Sequence, residues 1–293
     1  MTIAAIQSPV RMLHEALGAV LDKQIFFVVG CQKSGTTWVQ HLLDGHPEIC
    51  CKGEAYFGPV LLPALQQALD FYSGRQKLEE LGRFDSEALV QVFTAAVALQ
   101  FHRWADSQPV RCIGEKTPEH AMCLGPLNAA FPDAKIIHVI RDGRDVTVSG
   151  WFHNLRQKKE TFQQRFPTMA AYAEYLLQNH WIPYIQQARL FGRTFPDRYL
   201  ELRYEDLSAD CSAGVARMLD FLGVDTSDAS VRDCCEAGSF RRLAGGRENG
   251  VEDKSSFFRK GVVGDWREHF DEKVLQVFAR IGGPLMQELG YDL

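Results

Sequence analysis

No CxxC pair occurs in this chain and no Cys/His spacing fits a zinc site, although there are eight cysteines and two adjacent pairs, Cys50-Cys51 and Cys234-Cys235. A metal is therefore not expected. No apolar run approaches the length of a membrane span. The N-terminus lacks the ordered basic, apolar and cleavage regions of a signal peptide, so the expectation is a cytoplasmic protein with reduced thiols. Charge of neither sign dominates: 32 Lys and Arg against 37 Asp and Glu leave a net charge of −5, which gives no footing for nucleic acid. No internal repeat and no Gly-, Pro- or Ser-rich linker divides the chain, so one domain over residues 1–293 is expected.

What is present is an alternation of strand and helix signals. Residues 9–22 read as an amphipathic helix, with Val10, Leu13, Leu17 and Val20 on one face. Strands are expected at 25–29, 48–51, 110–113, 135–140 and 198–202, the fourth (KIIHVI) being rich in β-branched residues. Helices are expected at 36–44, 59–71, 86–105, 142–154 and 168–190. This alternation predicts an α/β fold with a mainly parallel sheet of about five strands and crossover helices. Two polar segments, 156–167 and 244–256, read as surface loops or as segments that fold over a substrate.

Phe26-Phe27-Val28-Val29-Gly30-Cys31-Gln32-Lys33-Ser34-Gly35-Thr36-Thr37-Trp38 reads as a strand, a small-residue loop and a helix start, which is the layout of a phosphate-binding loop. Gly30 and Gly35 have Walker A spacing, but Thr36 stands where a nucleoside triphosphatase needs lysine. The cation is instead Lys33, inside the loop. Amides from Ser34 to Thr37 suit a phosphate, and the Thr36 and Thr37 hydroxyls add bonds. Arg141 ends the KIIHVI strand, and Ser149 lies two turns into the next helix, so the two can meet one phosphate. Alone, Arg141 would pair with Asp142 or Asp145 on the surface.

The QKSGTTW loop resembles the 5′-phosphosulfate loop of sulfotransferases, enzymes that use 3′-phosphoadenosine-5′-phosphosulfate (PAPS) and release the 3′,5′-bisphosphate (PAP). The resemblance recurs in family order at Ile140-Arg141-Asp142-Gly143-Arg144-Asp145 with Ser149, at Tyr204-Glu205-Asp206, at Ser239-Phe240, and at Arg259-Lys260-Gly261-Val262-Val263-Gly264-Asp265-Trp266, which matches RKGxxGDW in full. It spans about residues 25–270. It implies a P-loop-like domain and sulfuryl transfer to an acceptor hydroxyl or amine without a metal. It also implies that Lys33 serves the bridging oxygen, and that Arg141, Ser149, Ser239, Arg259, Lys260 and Gly261 hold the 3′-phosphate. Trp38 and Phe240 would sandwich the adenine, and Tyr204 would contact it.

The cytosolic branch of that family has its catalytic histidine in a KTH triplet. Here the stretch is Gly114-Glu115-Lys116-Thr117-Pro118-Glu119-His120, with Pro118 in the histidine's place. Lys116 remains as a second cation. The segment from Leu43 to Glu54 resembles the LDAHP…GEE stretch of tyrosylprotein sulfotransferases and sets Glu54 on their catalytic glutamate. Partial burial would raise its pKa and improve it as a base. His120 and Glu119 stay open as alternatives. Other readings are a P-loop kinase or nucleoside triphosphatase, and a nucleotide-binding scaffold without catalysis. The latter would be favoured if Lys33 and both base candidates lay outside one crevice. The acceptor is open among small molecules, lipids, carbohydrates and tyrosyl groups. The family's KxxxTVxxxE dimer motif is not kept after GDW, where Arg267-Glu268-His269-Phe270-Asp271-Glu272 stands, so the oligomeric state is open too.

Overall fold

Phe27 and Val29 face one apolar core, Phe26 and Val28 the other, and all four are fully buried. A strand apolar on both faces belongs in the middle of a parallel sheet covered on both sides. The computed structural model, which describes residues 8–73, 85–105 and 109–292, places it there. The strands are β1 (Gln24–Gly30), β2 (Ile49–Gly53), β3 (Cys112–Lys116), β4 (Lys135–Ile140) and β5 (Tyr199–Arg203), in the order β2-β3-β1-β4-β5 and all parallel. The helices that matter below are α1 (Pro9–Leu21), α2 (Thr36–Asp44), α3 (Leu62–Ser73), α4 (Ser86–Ala105), α5 (Leu124–Ala130), α6 (Gly143–Arg165), α7 (Met169–Leu176), α8 (Ile182–Thr194), α9 (Tyr204–Ala209) and α10 (Cys211–Leu222). Phe93, Val97 and Phe101 of α4 and Ile185 and Ala188 of α8 cover one face of the sheet. Val39, Leu42 and Leu43 of α2 and Val215, Met218 and Leu219 of α10 cover the other.

Register decides where the chemistry sits. Val28 pairs with Lys116 and Gly53 pairs with Lys116, while Ile140 pairs with Arg203. The carboxyl ends of all five strands therefore form one edge. Lys33, Glu54, Lys116, Arg141 and Tyr204 all lie at or just beyond it, where open α/β sheets bind ligands.

Three expected boundaries move. The third strand is Cys112–Lys116 rather than 110–113, because Glu115 and Lys116 are buried and paired instead of solvated. Segment 156–167 is no loop: α6 runs on to Arg165, with one non-helical residue, Lys158, marking a kink. The stretch 151–165 holds no Pro or Gly, and the helix stops at Phe166 because the residue before Pro167 is pushed out of the α region. The expected helix at 168–190 is α7 and α8 joined by a π turn, Leu177–Trp181. That turn carries Trp181 under the end of β4, where its indole N–H donates to the Arg141 carbonyl at 2.9 Å.

Candidate active site

A cleft of about 1050 Å³ opens over the carboxyl edge of the sheet. At its centre is the loop between β1 and α2. Gly35 caps α2 with φ of 98°, and a Cβ there would lie 2.5 Å from the Tyr204 ring, so only glycine fits. No side chain caps the helix and no acidic residue lies in its first turn. Its leading amides therefore point at the cleft unsatisfied, a ready site for an anion. Thr36 and Thr37 line the wall beside them. Ser34 does not: it is buried and its N–H already donates to the Cys31 carbonyl at 3.1 Å, so the expected amide donors begin at Gly35 rather than Ser34.

Among the described residues, Lys33 is one of two non-glycines with positive φ, at 71°. That conformation costs about 1–3 kcal/mol and concentrates at functional sites. It turns the side chain into the cleft, 3.4 Å from His153 Nδ1 and 4.1 Å above the Phe257 ring. Burial, then Arg156 and Arg141, lower the Lys33 pKa to about 8. Burial, Lys33 and Arg156 lower that of His153 to about 4, so the imidazole is neutral and accepts from the lysine.

Arg141, Tyr204 and Trp38 form a column along one wall. The Arg141 guanidinium lies 4.2 Å over the Tyr204 ring, whose edge meets Trp38 at 5.3 Å. Trp38 is fixed by its N–H donating to the Gly238 carbonyl at 2.8 Å. Phe240 lines the same cleft. Gly261, with φ of 69°, passes against it so closely that a Cβ would sit 2.5 Å from the ring. Ser149, Ser239, Arg259 and Lys260 complete this end. Most of these groups are already engaged. Ser239 Oγ accepts from the Arg242 N–H, Arg259 pairs with Glu252 and Asp265, and Lys260 binds Asp265 at 2.6 Å and Glu268 at 2.7 Å. Asp265, Glu268 and His269 also bring three potential ligand atoms together, but these carboxylates hold the two cations.

At the other end stands Glu54, one residue past β2. It accepts hydrogen bonds from Lys116 and from the Tyr56 hydroxyl. Burial raises its pKa, but those two bonds and the nearby Lys116 and Lys33 charges outweigh this and hold it below its ordinary value. The expected rise toward neutrality is thus corrected. Lys116 is itself buried behind Glu54 and does not form the wall. His120 is not in the cleft at all. It is fully buried, stacked on Phe57 and edge-on to Phe27, with Nε2 accepting from the Gly58 N–H at 3.1 Å. Its expected alternative role as base is corrected on that ground. Glu119 does line the cleft and accepts from Gln32 at 2.7 Å.

Sequence reasoning missed several contributors. Asp145, which the sequence offered only as one surface partner for Arg141 taken alone, is buried; it lies 3.6 Å from the Arg141 guanidinium and accepts from the amides of Gly264 and Trp266 at 2.7 and 3.0 Å. It thereby ties the RKGxxGDW loop to α6. Arg247 donates to the carbonyls of Val251, Phe258 and Arg259, which orders the 244–256 segment beside the cleft. Tyr56 and His153 carried no signal beyond their position in sequence.

The sequence model of the sulfotransferase family matches residues 25–228. Protein-tyrosine sulfotransferase 2 of Gallus gallus is 28% identical over 283 residues, covering 92% of this chain and 70% of that protein. The 3-beta-hydroxysteroid sulfotransferase of Cavia porcellus is 29% identical over 178 residues, covering 54% of this chain and 58% of that one. Among solved structures, mouse sulfotransferase SULT7A1 complexed with PAP superposes with a TM-score of 0.60 at 21% identity, over 96% of this chain and 93% of that one.

Proposed function

The chain belongs to the sulfotransferase family, and we propose that it moves the sulfuryl group of PAPS in line to an acceptor hydroxyl or amine, with Lys33 serving the leaving oxygen and Glu54 the acceptor. The observation that carries this reading is the convergence of Lys33 and Glu54 on one cleft whose far end holds Arg141, Ser149, Arg259 and Lys260. The same convergence argues against a scaffold without catalysis. The kinase reading has no support: Thr36 follows Gly35, and β4 leads into Arg141 rather than an acidic residue.

In this reading the α2 amides, Thr36 and Thr37 hold the 5′-phosphate, and Trp38 and Phe240 enclose the adenine beside Tyr204. Arg141, Ser149, Ser239, Arg259, Lys260 and the Gly261 backbone take the 3′-phosphate. Nucleotide entry exchanges the Asp265 and Glu268 contacts of Lys260 for phosphate oxygens. The acceptor oxygen bonds to sulfur as the sulfur–phosphate oxygen bond breaks, and its proton passes to Glu54. PAP leaves with the bonding pair, on an oxygen that Lys33 meets as charge builds. Glu54, held by Lys116 and Tyr56, is a weak base in the ground state. It becomes effective as the attacking hydroxyl turns acidic. The protein cations face both phosphates, so no metal enters the scheme.

For the acceptor we propose a hydroxyl compound of the tyrosyl or steroid kind, as the names of the chicken and guinea-pig relatives suggest. No helix among the described residues is long and apolar enough to cross a membrane. The eight cysteines stand as free thiols, which suits the cytoplasm we propose for it. Incubation with labelled PAPS and a panel of phenols, sterols, saccharides and tyrosyl peptides tests the reading. Label should move to at least one hydroxyl class, and Lys33→Ala should cut turnover on the order of 10²-fold. Transfer to none, with no PAP binding, would overturn it.

A further inference from the structure

Behind Glu54 lies a buried polar network that forms no part of the cleft wall. Glu115, Thr117 and His120 are all fully buried. Each takes hold of the short segment that carries Glu54. Glu115 Oε1 accepts from the Ala55 N–H at 2.8 Å. Thr117 Oγ1 accepts from the Tyr56 N–H at 3.4 Å, and His120 Nε2 accepts from the Gly58 N–H at 3.1 Å. Two of the side chains also hold one another, and the third lies close by. The Thr117 hydroxyl donates to Glu115 Oε1, and His120 Nδ1 lies 3.0 Å from Glu115 Oε2.

The donor and acceptor roles are consistent, although His120 Nδ1 and Glu115 Oε2 approach each other without the alignment of a hydrogen bond. Nε2 accepts, so the imidazole hydrogen is on Nδ1, facing the Glu115 carboxylate. The threonine hydroxyl gives its single proton to Glu115 and offers a lone pair to Tyr56. Buried polar groups hydrogen-bonded in this way rigidify what they touch. What they touch is the backbone on the C-terminal side of Glu54, including Tyr56, whose hydroxyl in turn binds the Glu54 carboxylate. Lys116, between Glu115 and Thr117 in sequence, binds that carboxylate directly. The end of β3 and the turn after it thus grip the Glu54 segment by its backbone at three points and its carboxylate at one.

We propose that Glu115, Thr117 and His120 are positioning residues that fix Glu54 at the acceptor, with His120 setting the segment through Gly58. This rests on the reading of Glu54 as the base. Misplacing a base by about 1 Å costs on the order of 10²-fold in rate. Such a loss has a chemical signature: an acceptor already ionised in solution needs no base, whereas a weakly acidic one does.

The test uses the intact protein, labelled PAPS and a series of phenols of graded acidity. His120→Ala and Thr117→Val should lower kcat on the order of 10²-fold for the least acidic phenols and far less for those ionised at the assay pH, with PAP affinity unchanged. His120→Gln, whose amide oxygen can accept from the Gly58 N–H, should recover most of the rate. Amide hydrogen exchange at residues 55, 56 and 58 is a second measurement, one that needs no acceptor. It should speed up in His120→Ala and Thr117→Val and stay as in the unaltered protein in Glu54→Gln. Equal losses across the whole phenol series, or unchanged exchange at those amides, would overturn the proposal. If Glu54→Gln itself shows no dependence on phenol acidity, Glu54 is not the base and the proposal falls with it. That result is distinguishable because it appears in the Glu54 variant.

Discussion

Lys33 and Glu54 set opposite limits on the working pH. Lys33 must be protonated to meet the leaving oxygen, and its pKa in the free protein is lowered to about 8, chiefly by burial. Raising the pH through that value removes the charge, so kcat/KM should fall on the alkaline side near pH 8. Bound PAPS places negative charge beside the ammonium and favours the charged form, so the corresponding limb of kcat should lie higher. Glu54 must be ionised, and its pKa lies below its ordinary value. The acid limb should therefore fall below the ordinary glutamate range rather than near neutrality. A pH profile of both parameters checks this, and an acid limb near pH 7 would contradict the assignment. Glu54→Gln keeps the shape and removes the basicity. It should abolish most turnover on weakly acidic acceptors while PAP affinity, measured by titration, stays within a few-fold.

At the scale of the elements, one buried carboxylate holds the two nucleotide-binding segments together. Asp145, in the first turn of α6, accepts two amide hydrogen bonds from the loop that carries Arg259, Lys260 and Gly261. Asp145→Ala leaves both amides unpaired and frees the loop from α6. Hydrogen bonds to a charged group are worth about 1.5–3 kcal/mol each, so a loss of about 3–6 kcal/mol of stability is expected on denaturant unfolding. PAP affinity should fall at least tenfold. Whether such ties can be read from a sequence depends on their range. The strand–loop–helix of residues 26–38 is legible because its signals are contiguous: an apolar run, glycines at fixed spacing, and a lysine between them. β4 is legible for the same reason. The end of β3 is not, because Glu115 and Lys116 look like loop residues until their partners at positions 54, 55 and 120 are known. Sequence neighbours alone put His120 in the cleft, whereas packing against Phe27 and Phe57 decides its place. The continuation of α6 beyond Asn154 is hidden by its polar composition, although Pro167 marks its end.

For the molecule as a whole, the nucleotide bridges parts that converge on the cleft: the β1–α2 loop, the start of α6, and the segment from Ser239 to Gly261. A ligand that binds the folded state alone stabilises it by about 2.7 kcal/mol at one hundred times its Kd. Each kcal/mol moves the unfolding midpoint of a protein near this size by about 2–4 °C, so PAP at that level should raise Tm by roughly 5–10 °C. AMP has the adenine and the 5′-phosphate but nothing for Arg141, Ser149, Arg259 and Lys260. At equal concentration it should stabilise much less, and added magnesium should leave the PAP shift unchanged. Arg141→Ala should narrow the gap between the two nucleotides by lowering the PAP shift toward that of AMP. Thermal unfolding with each ligand reads all three outcomes. Equal shifts from PAP and AMP in the unaltered protein would mean that the Asp265 and Glu268 contacts of Lys260 persist in the complex, and that the 3′-phosphate is not held where the cleft places its cations.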